Sequence, residues 1–539
     1  MGSRSDGMQL LNPNHVATVA EEGPISFGRR IRQLAASRGE QVGLILASES
    51  GEEQVFSWRE IDRRSTQVGR LLASHGLRAD ATVAVGLPNS PQHVFVTLGA
   101  WKLGACVLPI RWDLPAWERR RLLDVARASL VVAEWEDCDP PALSSRQLIE
   151  AESLSCEPLA DRVATVAVAI GTGGSTGTPK VVVMPFRGEI IPGQSLQPLS
   201  GWMGFKRDMT FAVGGPLYHG NPFLMNYLGL LEGFRVVLMQ RFSASQWVSL
   251  VERHRVNFCT LVPTMMKRIV EVPDIHQRDL SSLLAVLHTA APCPPKVKES
   301  WIELLGGERL FEAFGSIESV GFIAIRGDEW LAHRGSIGRP LLSEVRVLDE
   351  EQREQPIGVV GDLYMKRTGT TGPKYVYLGS NAARQTADGF VSVGDLGYVD
   401  EDGWYYSADR RQDMIISGGA NIYPAEVEAA LSEHSAVHGV VVIGIPDPEW
   451  GSRVHAIIES VDSNDPPSQA SLTAHCRERL AAYKVPKSYE MVMRLPRTEM
   501  DKVRRSQLVA ERTQSVAAPS GAARLSSGAP SMTPSASDA

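Results

Sequence analysis

Residues Gly171 to Lys180 read G-T-G-G-S-T-G-T-P-K, residue types suited to holding phosphate. Glycine, serine and threonine at this density bring bare backbone N–H groups and hydroxyls together on phosphate oxygens, and Lys180 adds a cation. Three named loops share this composition, and each demands a different flank. A Walker loop needs lysine directly after its last glycine, whereas Gly177 is followed by Thr178 and Pro179. A dinucleotide fingerprint needs glycine at its sixth position, where Thr176 stands. The pattern G-x-S-x-G does fit Gly173, Ser175 and Gly177, and would make Ser175 a hydrolase nucleophile on a strand-to-helix turn. Its flank disagrees, because Val181, Val182, Val183 and Met184 after Pro179 read as a strand, as do Ala164 to Ile170 before the loop. The loop is expected to join strand to strand, as a phosphate cradle or as a plain Gly/Ser hairpin.

Alternating strands and helices surround it. Ser26 opens a helix to about Arg38, strands follow at Val42 to Ala47 and Gln54 to Phe56, and Ser57-Trp-Arg-Glu60 is a capping box whose helix Gly76 closes. A strand at Thr82 to Leu87, a helix with Ser90 as cap and Pro91 first, and a strand at Ala105 to Ile110 come next. Further strands are expected at Thr210 to Val213, Arg235 to Met239, Phe258 to Leu261 and Ala285 to His288. This alternation is the grammar of parallel sheets with helices on their faces. Beyond Asp409 the texture changes to a Pro424-started helix through Ser432, strands at Val437 to Pro446 and Arg453 to Ser460, and a helix at Leu472 to Ala482: a compact α+β unit. From about Thr513 the Ala/Ser/Pro/Gly composition predicts disorder.

The 539 residues exceed one core and suggest two to four units. A net charge of −7 with no basic block gives no footprint for nucleic acid. Six cysteines without a C-x-x-C pair favour a reducing compartment and isolated buried thiols, and show no metal site. The first residues, MGSRSDGMQLL, have no apolar signal region, and no run is long enough to span a bilayer; a soluble cytoplasmic protein is expected. No L-G-G-x-S carrier motif is present.

The loop is followed in order by G-P-L-Y-H (Gly215 to His219), E-A-F-G-S-I-E (Glu312 to Glu318), V-G-D-L-G (Val393 to Gly397), D-R-R-Q-D-M-I-I-S-G-G (Asp409 to Gly419) and P-R-T-E-M-D-K-V-R-R (Pro496 to Arg505). Together these blocks resemble the adenylate-forming acyl-CoA synthetase superfamily, which also holds luciferases, over roughly residues 25 to 512. The resemblance implies an α/β fold with a large N-terminal domain of stacked α/β subdomains (23–411) and a small mobile α+β C-terminal domain (412–512), between a flexible N-terminus (1–22) and a disordered tail (513–539). It implies ATP, Mg²⁺ and coenzyme A. Thr172, Ser175, Thr176, Gly177, Thr178 and Lys180 would grip the leaving phosphates, Glu318 the metal and Asp395 the ribose. Arg410, Glu312 and Gly315 would be further nucleotide contacts, with Ala290, Ala291 and Phe314 on the adenine. Lys502 would bridge the substrate carboxylate and α-phosphate, His219 would stand where substrate pocket and thiol tunnel meet, and Gln412 would be the hinge. Ser417, Gly418 and Gly419 would let the pantetheine arm approach. Taken singly, Asp395 reads equally as a turn residue, Glu318 as a helix-start charge, Lys502 as a loop cation and His219 as a core or surface histidine; the ordered blocks carry the resemblance.

Longer stretches, A-W-K-L-G-A, L-V-P-T-M-M, Y-V-Y-L-G (Tyr375 to Gly379) and G-G-A-N-I-Y-P-A-E-V-E, are similar to bile-acid and steroid-acid CoA ligases, implying a bulky terpenoid or steroid-like acid. Phe223 to Leu231 would line its pocket or pack as helix core. Three departures stand out: Ile317 where the family has threonine, losing a hydroxyl donor; Asp501 where it has glycine before Lys502; and, in the loop, Gly173 and Val181 for serine and glycine. They leave open a variant that only transfers a partner-supplied acyl-adenylate, made by another adenylating enzyme, onto CoA. A non-catalytic nucleotide binder, a serine acyl hydrolase and a homodimer also stay open.

Overall fold

The structure, a computed structural model, describes residues 23–172, 180–196, 201–370, 375–379, 382–410, 413–417, 420–497 and 503–517, with backbone alone at 172, 409–410 and 514–517. The described residues of Met1–Gln412 with Pro496–Val503 form one compact unit, and those of Asp413–Leu495 with Arg504–Ala539 a second.

In the larger unit, Val42–Ala47, Arg235–Met239, Thr210–Val213, Phe258–Leu261, Ala285–His288 and Leu310–Gly315 lie side by side in parallel. These strands are covered on both faces, so they read as continuous apolar runs; Val236 to Met239 are all fully buried. Past Leu310–Gly315 the same sheet turns antiparallel through Phe322–Arg326 and Ser336–Leu341 to Tyr405–Arg410, Val391–Val399, Gly361–Arg367 and Ser343–Leu348, a half the sequence reading left unassigned. A second parallel sheet joins Cys106–Pro109, Thr82–Gly86, Leu130–Ala133 and Ala142–Leu143.

Local signals set the helix starts. Ser26 accepts from Arg29 N at 2.9 Å to cap Phe27–Arg38, and the capping box of Ser57 and Glu60 is complete at Trp58–Ser74. In the smaller unit, Val437–Asp447, Gly451–Ser460 and Ser488–Val492 form a sheet with its own core around Val442, Ile458 and Leu472. The helix expected at Leu472 to Ala482 is Gln469–Arg477 instead, because Ser468 is its cap. The last helix runs Arg505–Ala517, five residues further than the expected start of disorder at Thr513 allows. All six cysteines are free; Cys106, Cys259 and Cys476 are buried, but Cys156 is exposed. Among the described residues, no helix is long and apolar enough to cross a membrane.

Candidate active site

The glycine-rich loop leaves and re-enters a two-stranded ladder. Ala169–Thr172 and Lys180–Val183 pair antiparallel, Gly171 opposite Val181 and Thr172 opposite Lys180, so the loop joins strand to strand. The strand-to-helix turn that a Ser175 nucleophile needs is replaced by this hairpin, and the serine hydrolase expectation is corrected on that ground. Val376–Leu378 adds to the other edge, with Tyr377 opposite Val182.

Lys180 stands at the root of the loop. Its Nζ lies 4.0 Å from Glu318 Oε1 and 3.9 Å from the centroid of the Tyr377 ring. The Tyr377 phenol donates to Glu318 Oε1, and the Tyr375 ring sits 5.0 Å from Tyr377. Burial lowers the Lys180 ammonium below its ordinary value while Glu318 pulls it back up. Burial and then the Glu318 carboxylate push the Tyr377 phenol far above its ordinary value; the same two influences raise Tyr375. A cation, a carboxylate and two phenols converging at one loop root form the kind of perturbed cluster that marks functional sites.

Neighbouring parallel strands deliver the next group at their C-terminal ends, where ligands of open α/β sheets bind. Ala285–His288 runs out to Ala290 and Ala291, and Leu310–Gly315 ends on Phe314 and Gly315. Ala290 is exposed with φ 81°, a left-handed backbone that costs a residue bearing a Cβ about 1–2 kcal/mol. Glu318 follows in a turn with Ser319 at φ 53°. Glu312, expected as a nucleotide contact, is a correction: it is buried, its Oε2 bonded by the Lys298 ammonium, with His288 Nε2 at 3.7 Å. Burial alone would raise Glu312, but the Lys298 ammonium outweighs it and holds the carboxyl below its usual range; burial pushes the His288 imidazole down to about 4. The Lys298 ammonium also lies 4.6 Å from the centroid of Trp330. This ion pair braces the strand instead of reaching a ligand.

Asp395 and Arg410 are cross-strand partners on Val391–Val399 and Tyr405–Arg410, so the two expected sugar-side contacts share one edge of the sheet. His219 is the N-terminal flank of Gly220–Glu232, its ring tilted against that of Tyr218 with the centroids 4.6 Å apart. Its loop is held by Asn89, a buried residue the sequence reading passed over in favour of Ser90: Asn89 Nδ2 donates to Gly215 O at 3.0 Å and Met239 O at 2.9 Å, and Oδ1 accepts from Leu217 N at 2.8 Å. A Cβ at Gly220 would lie 2.1 Å from Ile317 Cδ1, so the residue that replaces the expected threonine occupies the space over this glycine. A shallow recess opens between Gly215, Asn221, Pro222, Thr260, Met265 and Thr289. Phe223 to Leu231 do not line it: Phe223, Tyr227, Leu230 and Leu231 are core, with Tyr227 5.0 Å from the Trp101 ring.

Ser417 ends a strand of the smaller unit, Ile415–Ser417, and is buried opposite Ala420. Gly173, Ser175, Thr176, Gly177, Thr178, Gln412, Gly418, Gly419, Asp501 and Lys502 lie outside the described residues, as do the side chains of Thr172 and Arg410.

Two family models match the chain: "AMP-binding enzyme" over residues 32–375 and "AMP-binding enzyme C-terminal domain" over residues 426–502. A 2-succinylbenzoate–CoA ligase of Bacillus subtilis is 30% identical over 497 residues, covering 89% of this chain and 96% of the ligase. The structure of o-succinylbenzoate CoA synthetase from Bacillus subtilis with its acyl-adenylate intermediate superposes with a TM-score of 0.77 at 26% identity, over 90% of this chain and 98% of that one. The same synthetase with ATP and a magnesium ion gives 0.76 at 26% identity, over 90% and 100%. These relatives bear the name of an aromatic acid, not of a steroid or terpenoid.

Proposed function

The chain belongs to the AMP-binding enzyme family, and on that premise we propose that it joins a carboxylic acid to coenzyme A through an acyl-adenylate made from ATP. The observation that carries this reading is the approach of Lys180, at the root of the glycine-rich loop, to Glu318, just beyond the strand that ends on Phe314 and Gly315. Adenylation forms a bond from a carboxylate oxygen to the α-phosphorus as the bond to pyrophosphate breaks. The thiol then attacks the acyl carbon, the C–S bond forms, and AMP leaves. Charge on the phosphates must be held in line throughout, which is the work proposed for Lys180 and the loop residues Thr172, Ser175, Thr176, Gly177 and Thr178. Asp395 would accept from the ribose hydroxyls, Ala290, Ala291 and Phe314 would flank the base, and Lys502 would bridge carboxylate and α-phosphate. His219 would mark the entrance of the thiol. Gln412 would be the hinge about which the smaller unit brings Ser417, Gly418 and Gly419 to the pantetheine arm.

Glu318 fits a magnesium ion. Among the described residues no group of three or more His, Cys, Asp or Glu could hold a metal, and a magnesium ion bound through one carboxylate, water and substrate phosphates needs no such group. When bound, the ion neutralises charge on the phosphate oxygens; Glu318 would orient it.

For the acid we propose an aromatic carboxylate of about one ring. The 2-succinylbenzoate–CoA ligase that matches over 89% of this chain bears the name of such an acid. A second reading, transfer of a partner-supplied acyl-adenylate onto CoA, is favoured by Ile317, which stands where the family's threonine is expected and carries no hydroxyl. Mass spectrometry of the products from ATP, CoA and a panel of aromatic, fatty, terpenoid and steroid acids, repeated with presynthesised adenylates, tests both. Pyrophosphate released at the rate of thioester formation supports the first reading and removes the second. Thioester from adenylates alone would reverse that, and turnover of steroid but not aromatic acids would overturn the acid class.

A further inference from the structure

Between the two charged groups of this site stands a side chain to which the reaction above gives no task. Tyr377 places its ring 3.9 Å from the Lys180 ammonium and donates its phenol proton to Glu318 Oε1. The ammonium and carboxylate are 4.0 Å apart, with side chains 24% and 12% exposed. An ammonium and a carboxylate so close and so little solvated would ordinarily close to a charge-assisted hydrogen bond of about 2.7–2.9 Å. Tyr377 supplies the reason they do not: the phenol occupies the oxygen that faces the lysine, and the ring face offers the cation a partner of its own. Strand pairing of Val376–Leu378 with Lys180–Val183 and the adjacent Tyr375 ring hold it there.

We propose that Tyr377 is a positioning residue that keeps Lys180 and Glu318 from neutralising each other, so that the carboxylate is free for a divalent cation and the ammonium for phosphate. This rests on the nucleotide reading of the site. A carboxylate has two oxygens and about four lone-pair directions, so one phenol leaves room for a cation on the same group. A direct Lys180–Glu318 pair would instead have to be broken at each binding event.

Tyr377→Phe removes one oxygen and keeps the ring. Two quantities are read on the same protein: Mn²⁺ affinity in the presence of a non-hydrolysable ATP analogue, by electron paramagnetic resonance, and metal-free AMP affinity, by calorimetry. Mn²⁺ affinity is expected to fall about 10- to 100-fold, the range seen when a group that orients a metal ligand is lost, while AMP affinity stays within about twofold, well inside the tenfold that 1.4 kcal/mol represents. Unchanged Mn²⁺ affinity overturns the positioning role, and so does a parallel loss of AMP affinity, which would mark Tyr377 as a structural support only. Wild-type protein that binds neither AMP nor the Mn²⁺–analogue pair would overturn the nucleotide reading itself, a distinct failure.

Discussion

Replacing Gly220 by alanine and Ile317 by threonine, singly and together, tests how this chain accommodates its missing hydroxyl. A Cβ on residue 220 would lie 2.1 Å from Ile317 Cδ1 and 3.4 Å from Cγ1, and would meet nothing else within 4 Å. Overpacking costs about 1–3 kcal/mol; because the colliding atom is the swinging end of a side chain, Gly220→Ala should sit near the lower bound. Threonine has no Cδ1, so on the Ile317→Thr background the same substitution meets only an ordinary contact with a γ atom at about 3.4 Å and should be close to neutral. The coupling is then about 1 kcal/mol, within the range measured for residues in contact. Ile317→Thr alone gives up roughly one to two buried carbons at about 0.8 kcal/mol each, discounted because Ile317 is only partly buried, and so destabilises by about 1 kcal/mol. It also restores a donor: a hydrogen bond to a charged group is worth about 1.5–3 kcal/mol, or roughly one to two decades of pyrophosphate release if it forms only in the transition state. Thermal midpoints of the four proteins and pyrophosphate release with ATP and acid are the assays. Gly220→Ala costing the same on both backgrounds refutes the packing argument, and unchanged pyrophosphate release in Ile317→Thr refutes the view that the lost hydroxyl limits adenylation.

Other consequences are equally measurable. Burial lowers Lys180, and its charged form is the one that holds phosphate; ATP affinity should therefore fall as pH rises through that lowered value, earlier than a lysine with the usual value near 10.4 would allow. The unfolded chain is still protonated in that window and the folded one is not, so this group's contribution to stability rises with pH there. Lys180→Arg, whose guanidinium stays charged, should flatten the affinity profile; an unaltered profile would assign the titration elsewhere. Lys298→Met leaves Glu312 buried without its cation and should cost about 3–5 kcal/mol, against much less when Glu312→Leu accompanies it; equal melting of the single and double variants would contradict the pairing. Ala290→Gly relieves a left-handed backbone and should raise stability by about 1 kcal/mol, with a lowered melting point as the contrary result.

What the sequence made legible was local. The capping box of Ser57 and Glu60, the Ser90-Pro91 start and the apolar strands Thr210–Val213, Arg235–Met239, Phe258–Leu261 and Ala285–His288 each follow from neighbouring residues and stand where expected. So does the strand-to-strand setting of the glycine loop, decided by Val181 to Val183. What escaped depends on distant partners. Asn89 acts through Gly215 and Met239, far along the chain, so nothing in its neighbours marks it. Glu312 shares a block with Phe314, and only Lys298, arriving from a helix packed behind the strand, reveals its carboxylate as engaged. Tyr377 was visible merely as part of Y-V-Y-L-G; its task appears once strand pairing sets it beside Lys180 and Glu318. The antiparallel half of the large sheet was missed because pairing over long separations leaves no periodic trace in any one segment.

The most direct measurement follows oxygen. The acid, its carboxylate labelled with ¹⁸O at both positions, is incubated with the enzyme, ATP, magnesium and CoA, and the nucleotide and phosphate products are weighed by mass spectrometry. An acyl-adenylate broken by the thiol leaves one labelled oxygen on AMP, one in the thioester and none in pyrophosphate. Label in pyrophosphate or inorganic phosphate, or thioester formed alongside unlabelled AMP, would contradict the account.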